Sequence, residues 1–157
     1  MIKQPASRNC FVCGRENPFG LKMDFYADVP GEVTATFKIS DNFEGFPGVV
    51  HGGIIAALLD EGAGRAHMTD PRKFMMTAQL NVRYRKPVPT GVKLTLKGFA
   101  GERKGRVAKA TGEIRDENGT LLAEAEGVFV DIPHDKLETM NAYSLGWRVY
   151  PDAEEEK

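Results

Sequence analysis

The stretch that decides the fold of this chain is His51-Gly52-Gly53-Ile54-Ile55-Ala56-Ala57-Leu58-Leu59-Asp60-Glu61-Gly62-Ala63-Gly64-Arg65. It contains no proline, nearly every residue in it is apolar or small, and it is long enough for about four helical turns. It therefore predicts one buried α-helix. Gly52 and Gly53 in the first turn leave backbone N–H groups open to a ligand. These groups and the positive end of the helix dipole favour an oxyanion.

The first charge of the predicted helix is Asp60, nine positions beyond His51. At about 100° per residue it falls roughly opposite His51, on a side with small neighbours, namely Ala56, Ala57, Ala63 and Gly64. An unpartnered buried carboxylate is unfavourable or becomes protonated, so Asp60 is expected to meet a donor or to serve chemistry. Because the helix N-terminus and Asp60 point in roughly opposite directions, a site that uses both would most simply take them from two copies of the chain. The adjacent Glu61 stands four residues before Arg65, which predicts an ion pair on the helix surface.

Alternating apolar and polar residues on both sides of the helix predict β-strands. Two strands precede the helix, at 21–26 and 32–39, joined across Pro30-Gly31. Four more follow it, with an Asn118-Gly119 hairpin signal before the last; they span 77–85, 92–97, 107–114 and 121–130. This order predicts an α+β fold in which an antiparallel sheet of about six strands buries one face against the helix.

Length and charge set limits for the whole chain. Its 157 residues, 41% of them hydrophobic, suffice for one core. We divide it into an irregular N-terminal segment (1–18), a central domain (19–133) and a C-terminal extension (134–157) with a short helix at 135–140 and an acidic tail at 152–156. Its 21 basic and 22 acidic residues give a net charge of −1, which predicts no binding to nucleic acid or membrane. Without a signal peptide or a long apolar stretch, we expect a cytoplasmic protein.

Cys10 and Cys13 form a Cys-x-x-Cys motif, which is typical of half a zinc site or of a redox pair. A tetrahedral zinc site needs two further ligands, and none of the three histidines, His51, His67 and His134, has ligand spacing. We therefore expect both cysteines to be small buried hydrophobic residues, with no metal and no cofactor on the chain.

Three stretches of the sequence resemble motifs of proteins with the hotdog fold, specifically of the PaaI-like group of acyl-CoA thioesterases. They are Phe46-Pro47-Gly48-Val49-Val50-His51-Gly52-Gly53 followed by Leu58-Leu59-Asp60-Glu61, then Thr77-Ala78-Gln79-Leu80-Asn81-Val82-Arg83-Tyr84 with Lys86-Pro87-Val88-Pro89, and Asn9-Cys10-Phe11-Val12-Cys13-Gly14 with Asn17-Pro18-Phe19-Gly20-Leu21. Together they cover roughly residues 9 to 131. His-Gly-Gly alone is a weak signal, but its combination with the aspartate nine residues on and with the later strand is strong. The resemblance implies that residues 19–133 form a hotdog domain.

The same resemblance implies a mechanism and a partner. Two hotdog subunits pair into a homodimer, with a dimer of dimers left open, and each active site lies between two subunits. The thioester carbonyl of an acyl-CoA substrate lies near the helix N-terminus, where Gly53 N–H matches the polarising donor and Gly52 allows the approach. His51 matches the residue that orients this turn or contacts the thioester. Asp60 of the other subunit matches the carboxylate that acts as general base on water or attacks as nucleophile.

Other site residues follow from the same comparison. Thr77 matches a position that in some relatives holds the catalytic water. Gly45 stands where certain relatives have an asparagine or glutamine, so that polar contact must be absent or come from elsewhere. The phosphates of CoA need cationic contacts, which we expect from the predicted basic turn at 101–106 with Arg103, Lys104 and Arg106. Of these residues we assign Lys104 and Arg106 to the substrate.

Two functions other than hydrolysis of an acyl-CoA, or a similar acyl thioester, remain open. A hotdog dehydratase or hydratase pairs a catalytic aspartate with a histidine a few residues later, and Asp41 followed by His51 fits that spacing poorly. A non-catalytic acyl-CoA-binding sensor would normally carry an additional DNA-binding module, for which this chain has no room.

Overall fold

The structure, a computed structural model, describes residues 1–70 and 72–152, and only the backbone of Tyr143. Its helices and strands are, in chain order, β1 (Ile2–Lys3), β2 (Tyr26–Ala27), β3 (Glu32–Phe37), β4 (Glu44–Phe46), β5 (Val49–Val50), α1 (Gly52–Arg65), β6 (Met75–Tyr84), β7 (Leu94–Lys104), β8 (Val107–Arg115), β9 (Leu121–Asp131) and α2 (His134–Thr139). One antiparallel sheet has the order β1-β2-β3-β7-β8-β9-β6, and β4 and β5 form a separate hairpin. The expected α+β arrangement of a hotdog fold, an antiparallel sheet around one long helix, is confirmed.

The predicted central helix is present as α1, with His51 as its N-cap residue. Ile55, Leu58 and Leu59 are almost fully buried against the sheet, as the side of the helix opposite Asp60 should be. Ala63 differs from the prediction. The sequence places it beside Asp60 on the small-residue side of the helix, but it is fully buried and packs in a small cluster with Phe129. The sheet covers more of the helix than a flat sheet would, since α1 contacts β3 as well as β6 to β9.

The strands after the helix lie close to their predicted positions, but two expectations need correction. The segment 21–26 contributes only β2 to the sheet, because Met23 N–H bonds to Val12 O in the N-terminal segment instead of to a strand. The predicted basic turn at 101–106 is also shorter than expected. β7 continues to Lys104, and the chain reverses at Gly105, which has a φ of +59°.

Glycines let α1 approach the sheet closely. A Cβ built on Gly98 of β7 would lie 2.0 Å from the Gly62 carbonyl oxygen, and one on Gly112 of β8 would lie 3.2 Å from the Leu59 carbonyl oxygen. Without side chains at these positions, the strands and the helix backbone come into direct contact. This contact sets the height of α1 over the sheet, and with it the positions of His51 and Asp60.

The two ends of the chain pack together at the C-terminal end of α1. Ala6 forms an antiparallel bridge with Arg148. The buried guanidinium of Arg65 lies 4.5 Å from the ring centre of Phe25 and 5.4 Å from that of Trp147. Cation–π contacts therefore join Arg65 to Phe25 and to the C-terminal extension. Its Nη1 also donates to the Pro5 carbonyl oxygen of the N-terminal segment at 2.9 Å.

The C-terminal extension contains the predicted short helix, as α2. Of the predicted acidic tail, all residues beyond 152 lie outside the described part of the chain. The division of the chain at residues 18 and 133 stays a prediction. Within 1–70 and 72–152, no helix has the length and apolar character needed to cross a membrane. The cytoplasmic location also stays a prediction.

Candidate active site

The N-terminal end of α1 is capped by the imidazole of His51. Its Nδ1 accepts a hydrogen bond from Gly53 N–H at 2.9 Å. A neutral imidazole that accepts at Nδ1 carries its proton on Nε2, so His51 presents an N–H donor at the exposed start of the helix. This geometry fits the predicted role of His51 in orienting the turn. The imidazole accepts from the same Gly53 N–H that was expected to polarise a carbonyl.

Tyr84 fixes the first turn of α1 from the other side. Its hydroxyl donates to the Gly52 carbonyl oxygen at 2.7 Å. A Cβ on Gly53 would lie 3.1 Å from His51 Nδ1, closer than most such contacts, so a side chain there would displace the imidazole. Gly45 is similarly tight, since its Cβ would lie 3.2 Å from His51 Cα. Sequence reasoning missed Tyr84, because strand alternation alone gives no sign that its hydroxyl reaches the helix.

Asp60 lies in the third turn of α1, half-buried, with Thr77 of β6 as its hydrogen-bond partner. The Thr77 hydroxyl donates to Asp60 Oδ1 at 2.6 Å. Burial raises the pKa of the Asp60 carboxyl above its ordinary value, the bond from Thr77 offsets part of this rise, and the charge of Glu61 adds to it. The structure thus brings together two of the residues that the sequence assigned to the site, and it places the carboxylate where its ionised form is disfavoured.

Asp60 and the helix N-terminus lie far apart within one chain. Nine residues at about 1.5 Å each separate His51 and Asp60 by about 13 Å along the helix axis. Asp60 lines a cavity of about 760 Å³, and neither His51 nor Gly53 lines it. One copy of the chain therefore cannot apply both groups to one carbonyl.

The cavity beside Asp60 has both apolar and polar walls. Phe74, Met75 and Trp147 line it, as do Thr77 and Arg103. Phe74 and Trp147 pack edge to face, with ring centres 5.3 Å apart. The C-terminal extension thus supplies one wall of the cavity, through Trp147, which no local pattern in the sequence indicated.

An open sheet edge lies beside this cavity. β6, which carries Thr77, is the last strand of the sheet and has no strand partner on its outer side in the described part of the chain. Met76 of β6 exposes 56% of its surface. An unpaired edge of ten residues with an exposed apolar side chain is suited to pairing with another chain.

Comparison with solved structures and with a family model shows which proteins this chain resembles. The structure of the thioesterase superfamily protein RHA08564 is 33% identical in sequence and aligns with a TM-score of 0.71 over 78% of this chain and 63% of that one. A family model described as Thioesterase superfamily matches residues 47–123, which contain α1, β6, β7 and β8. The chain therefore resembles the thioesterase superfamily in sequence and in fold.

Two further relatives of this chain are informative. Acyl-coenzyme A thioesterase THEM4 from Rattus norvegicus is 31% identical over 114 residues, which are 71% of this chain and 48% of the rat protein. The chain thus spans about half the length of the curated relatives that it matches. The structure of smu.793 from Streptococcus mutans UA159, bound to acetyl CoA, aligns with a TM-score of 0.63 at 20% identity over 70% of this chain and 88% of that one. At that identity it supports the fold alone.

The basic residues expected to hold CoA phosphates, Lys104 and Arg106, lie outside the Asp60 cavity. Lys104 Nζ lies 3.2 Å from a carboxylate oxygen of Glu102, and Arg106 Nη2 donates to the Asp131 carbonyl oxygen at 3.0 Å. Arg103 of the same segment does line the cavity and pairs with the Asp131 carboxylate. The assignment of Lys104 and Arg106 to the substrate stays a prediction.

The predicted ion pair between Glu61 and Arg65 is present, with Arg65 Nε donating to Glu61 Oε1 at 2.9 Å. It does not lie on the helix surface as expected, because the terminal segments cover it and only 3% of Arg65 is exposed. Helical spacing predicts which residues pair, but it does not reveal what packs over them.

Proposed function

We propose that two copies of this chain form an acyl-CoA thioesterase, which hydrolyses an acyl-CoA or a similar acyl thioester to the free acid and the thiol. The observation that carries the proposal is the half-buried Asp60 at the wall of a large cavity, on a superfamily fold whose relatives include a named acyl-coenzyme A thioesterase. The structural neighbour from Streptococcus mutans, which shares the fold, binds acetyl CoA, a ligand of the class proposed here.

The thioester carbonyl would lie at the N-terminus of α1. Gly53 N–H, the His51 Nε2–H and the helix dipole are the groups at this end that stabilise negative charge on the carbonyl oxygen. Since Gly53 N–H donates to His51 Nδ1, its donation to the substrate requires a shared hydrogen bond or rotation of the imidazole. Gly52 keeps this end of the helix free of a side chain.

The attacking oxygen would come from Asp60 of the second copy. As a general base, the carboxylate takes a proton from a water that attacks the carbonyl, and the CoA thiolate leaves. As a nucleophile, it attacks the carbonyl directly, the C–S bond breaks with loss of CoA thiolate, and water hydrolyses the resulting anhydride to the free acid and the Asp60 carboxylate. The short bond from Thr77 holds the carboxylate in one orientation in either case. Its raised pKa makes the ionised form more basic than an exposed aspartate.

Pairing of two copies would cover two surfaces that the single chain leaves exposed. The outer edge of β6 offers its backbone groups to another chain. The side of α1 that carries Gly53, Ala56 and Asp60 is not fully buried and has only small residues beside the carboxylate. An isologous dimer across these surfaces would place each helix N-terminus near the other helix. A dimer of two such dimers stays a further prediction.

The direct test is turnover of a panel of acyl-CoAs of increasing chain length, with the released thiol trapped by a chromogenic disulfide. We expect saturable hydrolysis of at least one acyl-CoA. We expect no hydrolysis of an oxygen ester of the same acyl group. Binding of acyl-CoA without turnover would overturn the proposal in favour of an acyl-CoA-binding protein. Hydration of an enoyl-CoA without hydrolysis would overturn it in favour of a hydratase.

A further inference from the structure

The two cysteines have no role in the proposed hydrolysis, yet they lie against α1 in the same cavity as Asp60. Cys13 is buried, Cys10 is half-buried, and both line the cavity. Their sulfur atoms and a carboxylate oxygen of Glu61 all lie within 4.8 Å of one another. The prediction from the sequence that the chain has no metal site considered only histidines as further ligands. Glu61, 48 residues after Cys13 in the chain, is the neighbour that it missed.

The Cys-x-x-Cys turn prepares Cys10 to act as a thiolate. The N–H groups of Val12 and Cys13 point at Cys10 Sγ, at 3.4 and 3.5 Å. Gly14 follows directly, and a Cβ there would lie 2.3 Å from the Cys10 carbonyl oxygen, so this tight turn needs glycine at that position. Two backbone N–H groups directed at one sulfur atom favour negative charge on that sulfur. Thiolate is the form of cysteine that binds metal ions.

The spacing of the sulfur and oxygen atoms fits a tetrahedral cation. Zn–S bonds of about 2.3 Å and Zn–O bonds of about 2.1 Å at a tetrahedral angle place S and O about 3.6 Å apart. Cys10 Sγ and Glu61 Oε2 lie 3.8 Å apart. Binding would therefore change this distance by only a few tenths of an ångström.

Arg65 supports the cluster by geometry and by charge. Its Nε–H holds Glu61 Oε1, which leaves Oε2 directed at Cys10. Two thiolates and a carboxylate carry three negative charges, which Arg65 and a divalent cation would together neutralise. Arg65 Nη2 is also buried without a hydrogen-bond partner among the described residues. Arg65 lines the cavity, so an oxygen atom bound there could accept from it.

We propose that Cys10, Cys13 and Glu61 bind one thiophilic divalent cation, with Zn²⁺ as the expected occupant, and that its fourth coordination position opens into the cavity. The cation would fasten the N-terminal segment to α1 one residue from Asp60. This site is separate from the proposed chemistry, which uses none of its three ligands.

Equilibrium dialysis of the full chain, kept reduced and stripped with a chelator, tests the site with Zn²⁺ and with Co²⁺. We expect one cation per chain, and a thiolate-to-cobalt charge-transfer band in the near ultraviolet. Cys10→Ser should weaken Zn²⁺ binding by at least about 100-fold, above the 10–100-fold range for loss of an outer partner. Asp60→Asn and His67→Ala, which alter other polar groups in the cavity, should change it by less than about threefold. Substoichiometric binding, no effect of Cys10→Ser, or an equal loss in either control would overturn the proposal.

A measurement on the unaltered chain covers the case in which the cysteine variants fail to fold. Zn²⁺ should slow alkylation of both thiols by iodoacetamide, Mg²⁺ should not, and a chelator should restore the original rate. Equal alkylation rates in Zn²⁺ and Mg²⁺ would overturn the proposal. A reduced chain that binds no Zn²⁺ but forms a Cys10–Cys13 disulfide in air would identify a redox pair instead. None of these readouts measures hydrolysis, so their failure would leave the proposed thioesterase untouched.

Discussion

Replacing Asp60 by asparagine should abolish most turnover while the chain stays folded. Asparagine has nearly the same shape and keeps an oxygen that can accept the bond from Thr77, which measures 2.6 Å. It cannot take a proton from water or attack a thioester. Proton transfer by a positioned side chain is worth about 10²–10⁴ in rate, which is about 2.7–5.4 kcal/mol in activation free energy. We therefore expect kcat to fall by about this factor with little change in KM.

The assay is release of CoA thiol, with a substrate-free reaction subtracted because Cys10 and Cys13 can react with the same reagent. Urea unfolding shows whether the variant is folded. The pKa of Asp60 is higher in the folded chain than in the unfolded chain, so the carboxyl favours the folded state only while it is protonated. Its contribution to the free energy of unfolding is therefore lost as pH rises from the pKa of the unfolded chain through that of the folded chain. At neutral pH the ionised carboxylate is destabilising, and Asp60→Asn should unfold at the same or a higher urea concentration.

Asp135→Asn, on the exposed start of α2, is the matched control and should keep kcat. A kcat for Asp60→Asn within about threefold of the unaltered chain would refute the assignment.

Three further substitutions test the site and the fold. Thr77→Val removes the bond that lowers the pKa of Asp60, so the acid limb of the kcat/KM–pH profile should move to higher pH; an unmoved limb would contradict this contact. His51→Ala removes the helix cap and should lower the free energy of unfolding by about 0.5–2 kcal/mol, measured in urea, and His51→Asn should recover most of the loss. Gly98→Ala would place a methyl group 2.0 Å from the Gly62 carbonyl oxygen and should cost about 1–3 kcal/mol or more in thermal unfolding; an unchanged midpoint would show that the helix lies farther from the sheet.

Local periodicity predicted the main parts of the fold because helices and strands in this chain are largely one-sided. The apolar run that predicted α1 is buried on the expected side. β8, β9 and the first half of β7 alternate as a sheet with one buried face requires, whereas β6 at the sheet edge has no buried residue in the single chain. The segment at 21–26 misled for the same reason. It alternates because Met23 and Phe25 are buried, although most of it pairs with no strand. Periodicity reports burial, and burial is not always accompanied by a sheet ladder.

The parts that could not be predicted depend on contacts between residues distant in sequence. Cys10 and Glu61 are 51 positions apart, and only the folding of the N-terminal segment onto α1 brings them together. Arg65 looked like a surface residue because nothing near it in sequence shows that Trp147 will cover it. Asp60 was found from the sequence because a single charge among small residues is visible locally, whereas the hydroxyl of Tyr84 on Gly52 is not.

Mixing two inactive variants tests most directly whether each site is shared between two copies. Asp60→Asn lacks the carboxylate. Gly53→Pro lacks the N–H in the first turn of the helix, a region where proline is tolerated. Its ring also displaces the His51 imidazole, so this variant loses both groups of the helix N-terminus and keeps Asp60. Each should be folded, dimeric and inactive alone. After unfolding together and refolding, half of randomly paired dimers are mixed, and one of their two sites is intact, so about a quarter of the original activity per chain should return. Activity no higher than that of the separate variants, in a sample shown to contain mixed dimers, would contradict a shared site.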